Sequence, residues 1–395
     1  MERFDAIVVG AGPAGSTAAY RLATAGARVL LVDKARFPRD KPCGGGLTMR
    51  AIRELPISVE PVVEHVVDRM AFRLRYGRSF ERGGGKPLIL MTQRHRLDHF
   101  LAEQAAAAGA DFRDGVKVTA VEGDERGARA VVDGVPIEAD VVIGADGANG
   151  LTARTLGLGG EPTIGVAFEG NVPHGAVDQE RYRSLALIEL GTVPGGYGWV
   201  FPKGDHVNVG VGGWEDVGPT LRARLRDLCD RHGIDPDAVE SLRGHRLPLR
   251  RPGSALARGR ALLVGDAAGL VDPISGDGMY EAFVSSRLAA EAALDVLAGR
   301  AESLEPYAQR LSRRLGPMAA ASWDAKIAFD RFPRLTFALA GAPLVWGVVE
   351  RILSGELSHP GDARGPVRAP LRAIEALARA VGAPGSGYRL EARAA

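Results

Sequence analysis

The chain has 395 residues, and its 50 lysines and arginines stand against 48 aspartates and glutamates for a net charge of +2. That balance, with no clustered basic run, excludes an ordinary nucleic-acid-binding domain, and 46% hydrophobic with 25% charged residues excludes a mainly disordered chain. Two cysteines, Cys43 and Cys229, are too few for a disulfide scaffold and point to a reducing compartment, so a cytoplasmic protein is expected. The start, Met1-Glu2-Arg3-Phe4-Asp5, lacks the basic head and apolar core of a secretory signal.

In chain order, Asp5 to Val9 is a β-branched, apolar run that reads as a buried parallel strand ending in Gly10-Ala11-Gly12-Pro13-Ala14-Gly15. Small and helix-forming residues follow to Ala25, Gly26 is placed like a C-cap, and Arg28 to Val32 reads as a second strand finishing at Asp33. Val116–Val121, Ala130–Val132, Val141–Ile143 and Ala261–Val264 are further strand candidates, and His206–Val211 alternates. Between Gly160 and Arg250, short alternating runs separated by Gly, Pro and Asp predict an antiparallel sheet inserted into the α/β unit. Helical patterns follow from Gly276 to Leu297 and from Leu304 to Ala321. The apolar stretch Leu335 to Val349 is shorter than the roughly 20 residues of a spanning helix and is broken by Gly341 and Pro343, so it is expected not to cross a membrane, which leaves an interfacial element and a plain core helix as its two readings.

The glycine loop carries the first chemical signal. Gly10 permits the tight turn, Gly12 lets backbone approach a pyrophosphate, and Gly15 lets helix pack on strand, while the helix N-terminus faces the phosphates with partial positive charge. Asp33, 23 residues beyond Gly10, ends the second strand where a carboxylate can accept from ribose hydroxyls. Together these are a dinucleotide-binding βαβ unit, which by itself leaves NAD and FAD open.

The segment Leu263-Val264-Gly265-Asp266-Ala267-Ala268-Gly269 follows a strand more than two hundred residues later. With Gly144-Ala145-Asp146-Gly147-Ala148-Asn149 and Arg94 followed by Leu97-Asp98, it resembles the FAD-binding fold of flavoprotein monooxygenases and their reductase relatives. The resemblance implies that Asp266 holds the ribityl chain of FAD. It also implies cofactor contacts from Gly10, Gly12, Pro13, Ala14, Gly15, Asp33, Lys34, Cys43, Gly44, Gly45, Arg94, Val118, Asp146, Gly147, Gly276, Gly278 and Met279. The helix that follows Pro273-Ile274-Ser275-Gly276-Asp277-Gly278-Met279 directs free N–H groups toward that site, where they suit the negative charge of a reduced flavin.

A more specific likeness lies in the insertion, where Pro194-Gly195-Gly196-Tyr197-Gly198-Trp199-Val200-Phe201-Pro202 matches the P-x-x-Y-x-W-x-F-P element of the geranylgeranyl reductase family. With Lys41-Pro42-Cys43-Gly44-Gly45-Gly46, the chain resembles that family over most of its length. The resemblance implies an FAD-dependent reductase that saturates isolated double bonds of polyprenyl chains. Cys43, Tyr197 and Trp199 are then the expected catalytic residues, and Tyr197, Trp199 and Phe201 the expected substrate contacts. From the residues alone, aromatics spaced by two on a strand share one face and make a flat apolar wall. Cys43 is the expected proton donor or substrate contact, with Lys41 a neighbour that favours a thiolate.

The fold class expected is α/β: a Rossmann-like FAD-binding domain of residues 1–70, 93–160 and 255–303, an inserted antiparallel β-sheet substrate domain of 71–92 and 161–254, and a helical C-terminal region of 304–395. A polyprenyl lipid or prenylquinone is the expected partner, at the inner face of a membrane. No second complete dinucleotide motif is present, which leaves the electron donor open among NADPH, NADH, a ferredoxin-like protein and a quinol. Two other readings stand beside this one: a flavin monooxygenase or halogenase acting on an aromatic or polyketide, and a lipid-binding electron-transfer flavoprotein. His95 and His99, spaced i, i+4, are read as structural for want of a third ligand.

Overall fold

The computed structural model describes residues 2–249 and 253–381, so the ends of two expected segments, 250–252 of the insertion and 382–395 of the C-terminal region, lie outside the described residues. Arg3–Val9 forms a strand because its apolar, β-branched side chains are buried on both faces of a parallel sheet. Its neighbours are Val135–Gly144 on one side and Val29–Asp33 on the other, and the parallel run continues to Ala261–Leu263 and Asp111–Asp114. The hairpin of Val118–Gly123 and Ala128–Val132 extends from Val135–Gly144. The helices Pro13–Thr24, Arg94–Ala107 and Met279–Leu297 pack together on this sheet. Ile7, Leu22, Leu30, Leu31, Leu97, Leu101 and Phe283 are fully enclosed there, each contributing about 1.5–3 kcal/mol of burial.

Two small differences from the expected elements have simple causes. The strand expected from Val116 starts at Val118, because the Gly115 and Val116 amides are spent on the carbonyls of Ala35 and Asp33. The helix expected from Gly276 starts at Met279, because Gly276 has a positive φ that ends any helical run.

A second sheet of seven strands runs, from one edge to the other, Glu240–Leu249, Thr163–Pro173, His206–Trp214, Tyr197–Pro202, Leu185–Leu190, Arg69–Leu74 and Ser79–Gly83. The expectation that this insertion is antiparallel is corrected at one seam: Arg69–Leu74 pairs parallel with Leu185–Leu190. Parallel pairing needs a long crossover, and more than one hundred residues, among them first-lobe elements such as Arg94–Ala107 and Val135–Gly144, separate these two strands in the chain. A third sheet joins Gly46–Thr48, Ile89–Met91 and His65–Val67.

One face of the seven-stranded sheet is closed by the helix Leu221–His232, whose Leu221, Leu225, Leu228 and Cys229 meet Val200, Val209 and Val211. Glu189 and His232, both fully buried, pair across this interface at 3.3 Å. The opposite face looks toward the glycine loops. Beyond it lie the helices Pro306–Arg331, Pro333–Ala340 and Pro343–Leu353, the last two bent by 75° at the break the sequence marks with Gly341 and Pro343. Among the described residues no single helix is long and apolar enough to cross a membrane, although that bent pair passes the test of length and composition together.

Candidate active site

A cavity of about 730 Å³ lies between the parallel sheet and the open face of the seven-stranded sheet. Gly10, Gly12, Pro13, Ala14, Asp33, Lys34, Cys43, Gly44, Gly45, Arg94 and Val118 line it, together with Asp146, Gly147, Tyr197, Trp199, Phe201, Asp266, Gly276, Gly278 and Met279. Of the residues expected from the sequence, Gly15 alone is absent from this wall. It lies underneath, where any Cβ would collide with the Gly10 carbonyl, so its role is the close fit of helix on strand.

The first glycine loop fits a dinucleotide pyrophosphate on its own geometry. Gly10 has φ +104° and backs directly onto the Ala145 peptide, whereas a Cβ on Gly12 would meet only the tip of Arg39 at 3.4 Å. That open side adjoins a helix start with no side-chain cap, so its orphan N–H groups are available to a ligand. Arg39, unmarked in the sequence, brings its guanidinium to the same mouth, 3.0 Å from Asp98. Asp33 also braces the loop, its two oxygens accepting from the Ala11 amide at 2.8 Å and the Ala35 amide at 2.9 Å.

Two expected cofactor side chains are occupied by the protein itself. Asp146 accepts from the Leu151 and Thr152 amides and from the Thr152 hydroxyl, so its carboxylate caps the short helix Thr152–Leu156. Arg94 is buried in a bidentate pair with Asp98 at 2.7 Å. Lys41, close to Cys43 in sequence, donates from its Nζ to Asp266 at 3.0 Å. Burial works to raise the Asp266 carboxyl, but the Lys41 ammonium and His245, 3.9 Å away, together hold it well below the usual carboxylate range.

The loop 272–278 is tied down from three sides. Asp272 accepts from the Ile274 and Ser275 amides and from the Ser275 and Ser322 hydroxyls, Asp277 accepts from the Met279 amide at 2.9 Å, and the Tyr197 hydroxyl donates to the Ser275 carbonyl. Burial raises both Tyr197 and Asp277, so the tyrosine stays a neutral donor at physiological pH. Asp272 is unmarked in the sequence, as nothing distinguishes it from a turn aspartate.

The aromatic triplet shares one face, as its spacing implies. Tyr197 and Trp199 lie with ring centroids 6.0 Å apart, and Trp199 and Phe201 6.3 Å apart. The Trp199 indole crosses Gly210, where any Cβ would strike it, and its Nε1 donates to the buried Asn208 at 2.7 Å. Phe201 rests against Gly44, and Met70 and Ile188 extend the apolar wall.

Beside the cavity, Glu281 is buried in the first turn of Met279–Leu297, and burial raises its carboxyl well above the ordinary range even with the Arg50 guanidinium nearby. A raised carboxyl is proton-bound in the fold, so its contribution to stability is complete below the unfolded pKa of about 4.3 and is lost as pH rises toward the folded value. Glu281→Gln is therefore expected to melt higher than the parent at pH 8, the gap closing by pH 4; calorimetry across pH checks this, and a constant gap refutes it.

His99, read from the sequence as structural, lies 3.3 Å from Glu103. Among the described residues no group of three or more His, Cys, Asp or Glu side chains is placed to hold a metal ion.

A family model described as an FAD binding domain matches residues 3–314. A menaquinone reductase of Mycobacterium tuberculosis is 36% identical over 313 residues, covering 73% of this chain and 76% of that protein. A geranylgeranyl diphosphate reductase of Rhodobacter capsulatus is 34% identical, covering 75% and 76%. The chain belongs to the geranylgeranyl reductase family. It is an FAD-dependent oxidoreductase, as that family is. A solved geranylgeranyl bacteriochlorophyll reductase-like protein of Thermoplasma acidophilum superposes with a TM-score of 0.79 at 26% identity, covering 95% of this chain and 96% of its own.

Proposed function

We propose that the protein saturates isolated double bonds in the polyprenyl chain of a lipid or prenylquinone. The observation that carries this reading is the wall of Tyr197, Trp199, Phe201, Ile188 and Met70, an apolar surface inside the same cavity as the cofactor loops. An alkene has no polar handle, so its orientation must come from flat packing surfaces and exclusion of water. The glycine-loop N–H groups with Arg39 would hold the FAD pyrophosphate, Asp33 and Asp266 the ribose and ribityl hydroxyls, and the start of Met279–Leu297 the flavin's pyrimidine edge. Reduced FAD supplies the hydride in this chemistry.

The chain's own part is positioning and the proton. Asn208 locks the Trp199 rotamer, Ser275 fixes Tyr197, and Phe201 packs on the loop that bears Cys43. Cys43 is partly exposed, and its Sγ accepts from the Gly45 amide at 3.4 Å. On this reading the Cys43 S–H gives its proton to one alkene carbon as hydride reaches the other, and the thiolate left behind is reprotonated from solvent. We place the substrate lobe in the seven-stranded sheet, the cofactor lobe in the parallel sheet, and the C-terminal helices at a membrane surface. The exposed Phe332 and Leu335 at the start of the first helix of the bent pair, and Leu344 at the start of the second, support the last assignment.

The test is anaerobic. The purified protein is reduced, mixed with geranylgeranyl-bearing lipids and a prenylated quinone, and the lipids are weighed by mass spectrometry. A gain of one hydrogen pair per double bond is expected. Unchanged lipids, with reduced flavin that reacts rapidly with oxygen and oxygenates an added aromatic, would replace this reading with a monooxygenase.

A further inference from the structure

The open face of the seven-stranded sheet carries a carboxylate that no part of the proposed mechanism uses. In strand register Ile188 pairs with Trp199, Trp199 with Gly210, and Gly210 with Glu169, so all four occupy one row across the sheet. Glu169 therefore points to the cavity side, two strands from the Trp199 indole, in a row that is apolar or glycine from Ile188 to Gly210 and continues past Glu169 to Arg243. It is only 8% exposed, and an unpartnered carboxylate at such a site is strongly disfavoured. Its partners are the Cys43 backbone amide, which donates to Oε1 at 2.6 Å from 126 residues away in the chain, and the Asn208 side chain.

The other end of the same peptide region faces a cation. Lys203, 2% exposed, directly follows the aromatic strand; its Nζ donates to the Thr92 carbonyl at 2.8 Å and to the Cys43 carbonyl at 3.5 Å. The Thr92 amide in turn donates to the Gly45 carbonyl at 2.9 Å. Gly45 has φ +75°, and any Cβ there would collide with Lys203 Nζ and the Thr92 carbonyl. A Cβ on Gly44 would press to 2.9 Å from the Phe201 ring. The loop is thus gripped at its N–H, its C=O groups and its glycine edge by residues of three separate strands or their ends.

We propose that Glu169 and Lys203 are positioning residues that hold the Cys43 peptide from both sides and set the loop 43–46 against the aromatic wall. The inference rests on the reading of this loop as part of the reductive site, yet its test needs no prenyl substrate, so the two can fail separately. Burial pushes the Glu169 carboxyl up and the Lys203 ammonium down, and the attraction between them opposes both shifts, as expected of a pair enclosed together. Asp40 also acts on Glu169, and Cys43, Glu64 and Arg94 act on Lys203.

The test compares Glu169→Gln, which keeps an acceptor oxygen, with Glu169→Leu, which does not. Three properties of the FAD-loaded protein are read: amide exchange of residues 41–46 by fragmentation mass spectrometry, alkylation of Cys43 by iodoacetamide with the buried Cys229 as internal reference, and the visible flavin spectrum. A hydrogen bond to a charged acceptor lost from a buried site corresponds to roughly a tenfold change or more. Glu169→Leu is expected to speed Cys43 amide exchange about tenfold, to change the alkylation rate several-fold and to move the flavin bands, while Glu169→Gln restores all three to near the parent values. A leucine variant indistinguishable from the parent, or a glutamine variant as impaired as leucine, overturns the proposal. If the leucine variant does not fold, the parent protein still decides: a Cys43 amide that exchanges as fast as a free loop amide rules the grip out.

Discussion

An Asp266→Ala protein is expected to purify nearly colourless, its FAD affinity lowered at least tenfold and up to about a hundredfold, the range for losing a hydrogen bond to a charged group in a buried site. The carboxylate stands just past the strand Ala261–Leu263, where the chain turns toward the cavity, and Lys41 holds it ionised. Its removal takes an acceptor from the proposed ribityl contact and also strands the Lys41 ammonium in a largely enclosed place, which puts the loss toward the upper end of that range. The pH dependence has a definite sign. Because the folded carboxyl lies below its ordinary value, the Asp266–Lys41 contribution is complete above about pH 4 and disappears only as pH falls below that. The parent protein should therefore keep its FAD bound through the neutral range and release it in acid, and flavin fluorescence released on titration measures both effects. FAD bound equally tightly by parent and variant would remove Asp266 from the cofactor site.

Trp199→Ala is expected to lose both stability and lipid reduction. Deleting a buried indole costs about 3–5 kcal/mol, and Asn208 Oδ1, 2% exposed at the residue level, would lose the donor it has in Nε1. The glycine opposite, Gly210, has no side chain to collapse into the space, so the cavity stays open. Denaturant unfolding gives the first loss. The second is read from the anaerobic lipid assay on the folded fraction, where the expected outcome is at least a hundredfold slower saturation with FAD still bound. Tyr197→Phe is the contrast: it removes only the hydroxyl that donates to Ser275, and the wall persists. Full activity in Trp199→Ala would mean that the aromatic row is ordinary sheet core and not the surface that orients the alkene.

The glycine loop, the strand that precedes it and the place of Asp33 at the cavity edge were legible because each depends on local rules: β-branched runs extend, glycines turn, and the last residue of the second strand stands beside the loop that follows the first. The alternation of Tyr197, Trp199 and Phe201 was legible for the same reason, since side chains two apart on a strand share a face whatever the fold. Adjacency in sequence does not establish contact where a side chain is long. Lys41 reaches across to Asp266, which is 225 residues away, rather than to Cys43 two positions on. Asp146 reads as a cofactor ligand by motif, yet it spends both oxygens on its own following turn.

What the sequence determined by itself, then, is a dinucleotide-binding loop, the βαβ start and the shared apolar face of Tyr197, Trp199 and Phe201, because these follow from short-range geometry and spacing. The tertiary structure decided which charges meet. Glu169, Lys203, Arg39 and Asp272 carry no local signature, and an isolated Glu in an alternating strand reads as a solvent-facing residue until strand register puts it in the row of Trp199. Register and crossover pair residues more than one hundred positions apart, and in a buried site the cost of an unpaired charge selects those partners in three dimensions rather than along the chain.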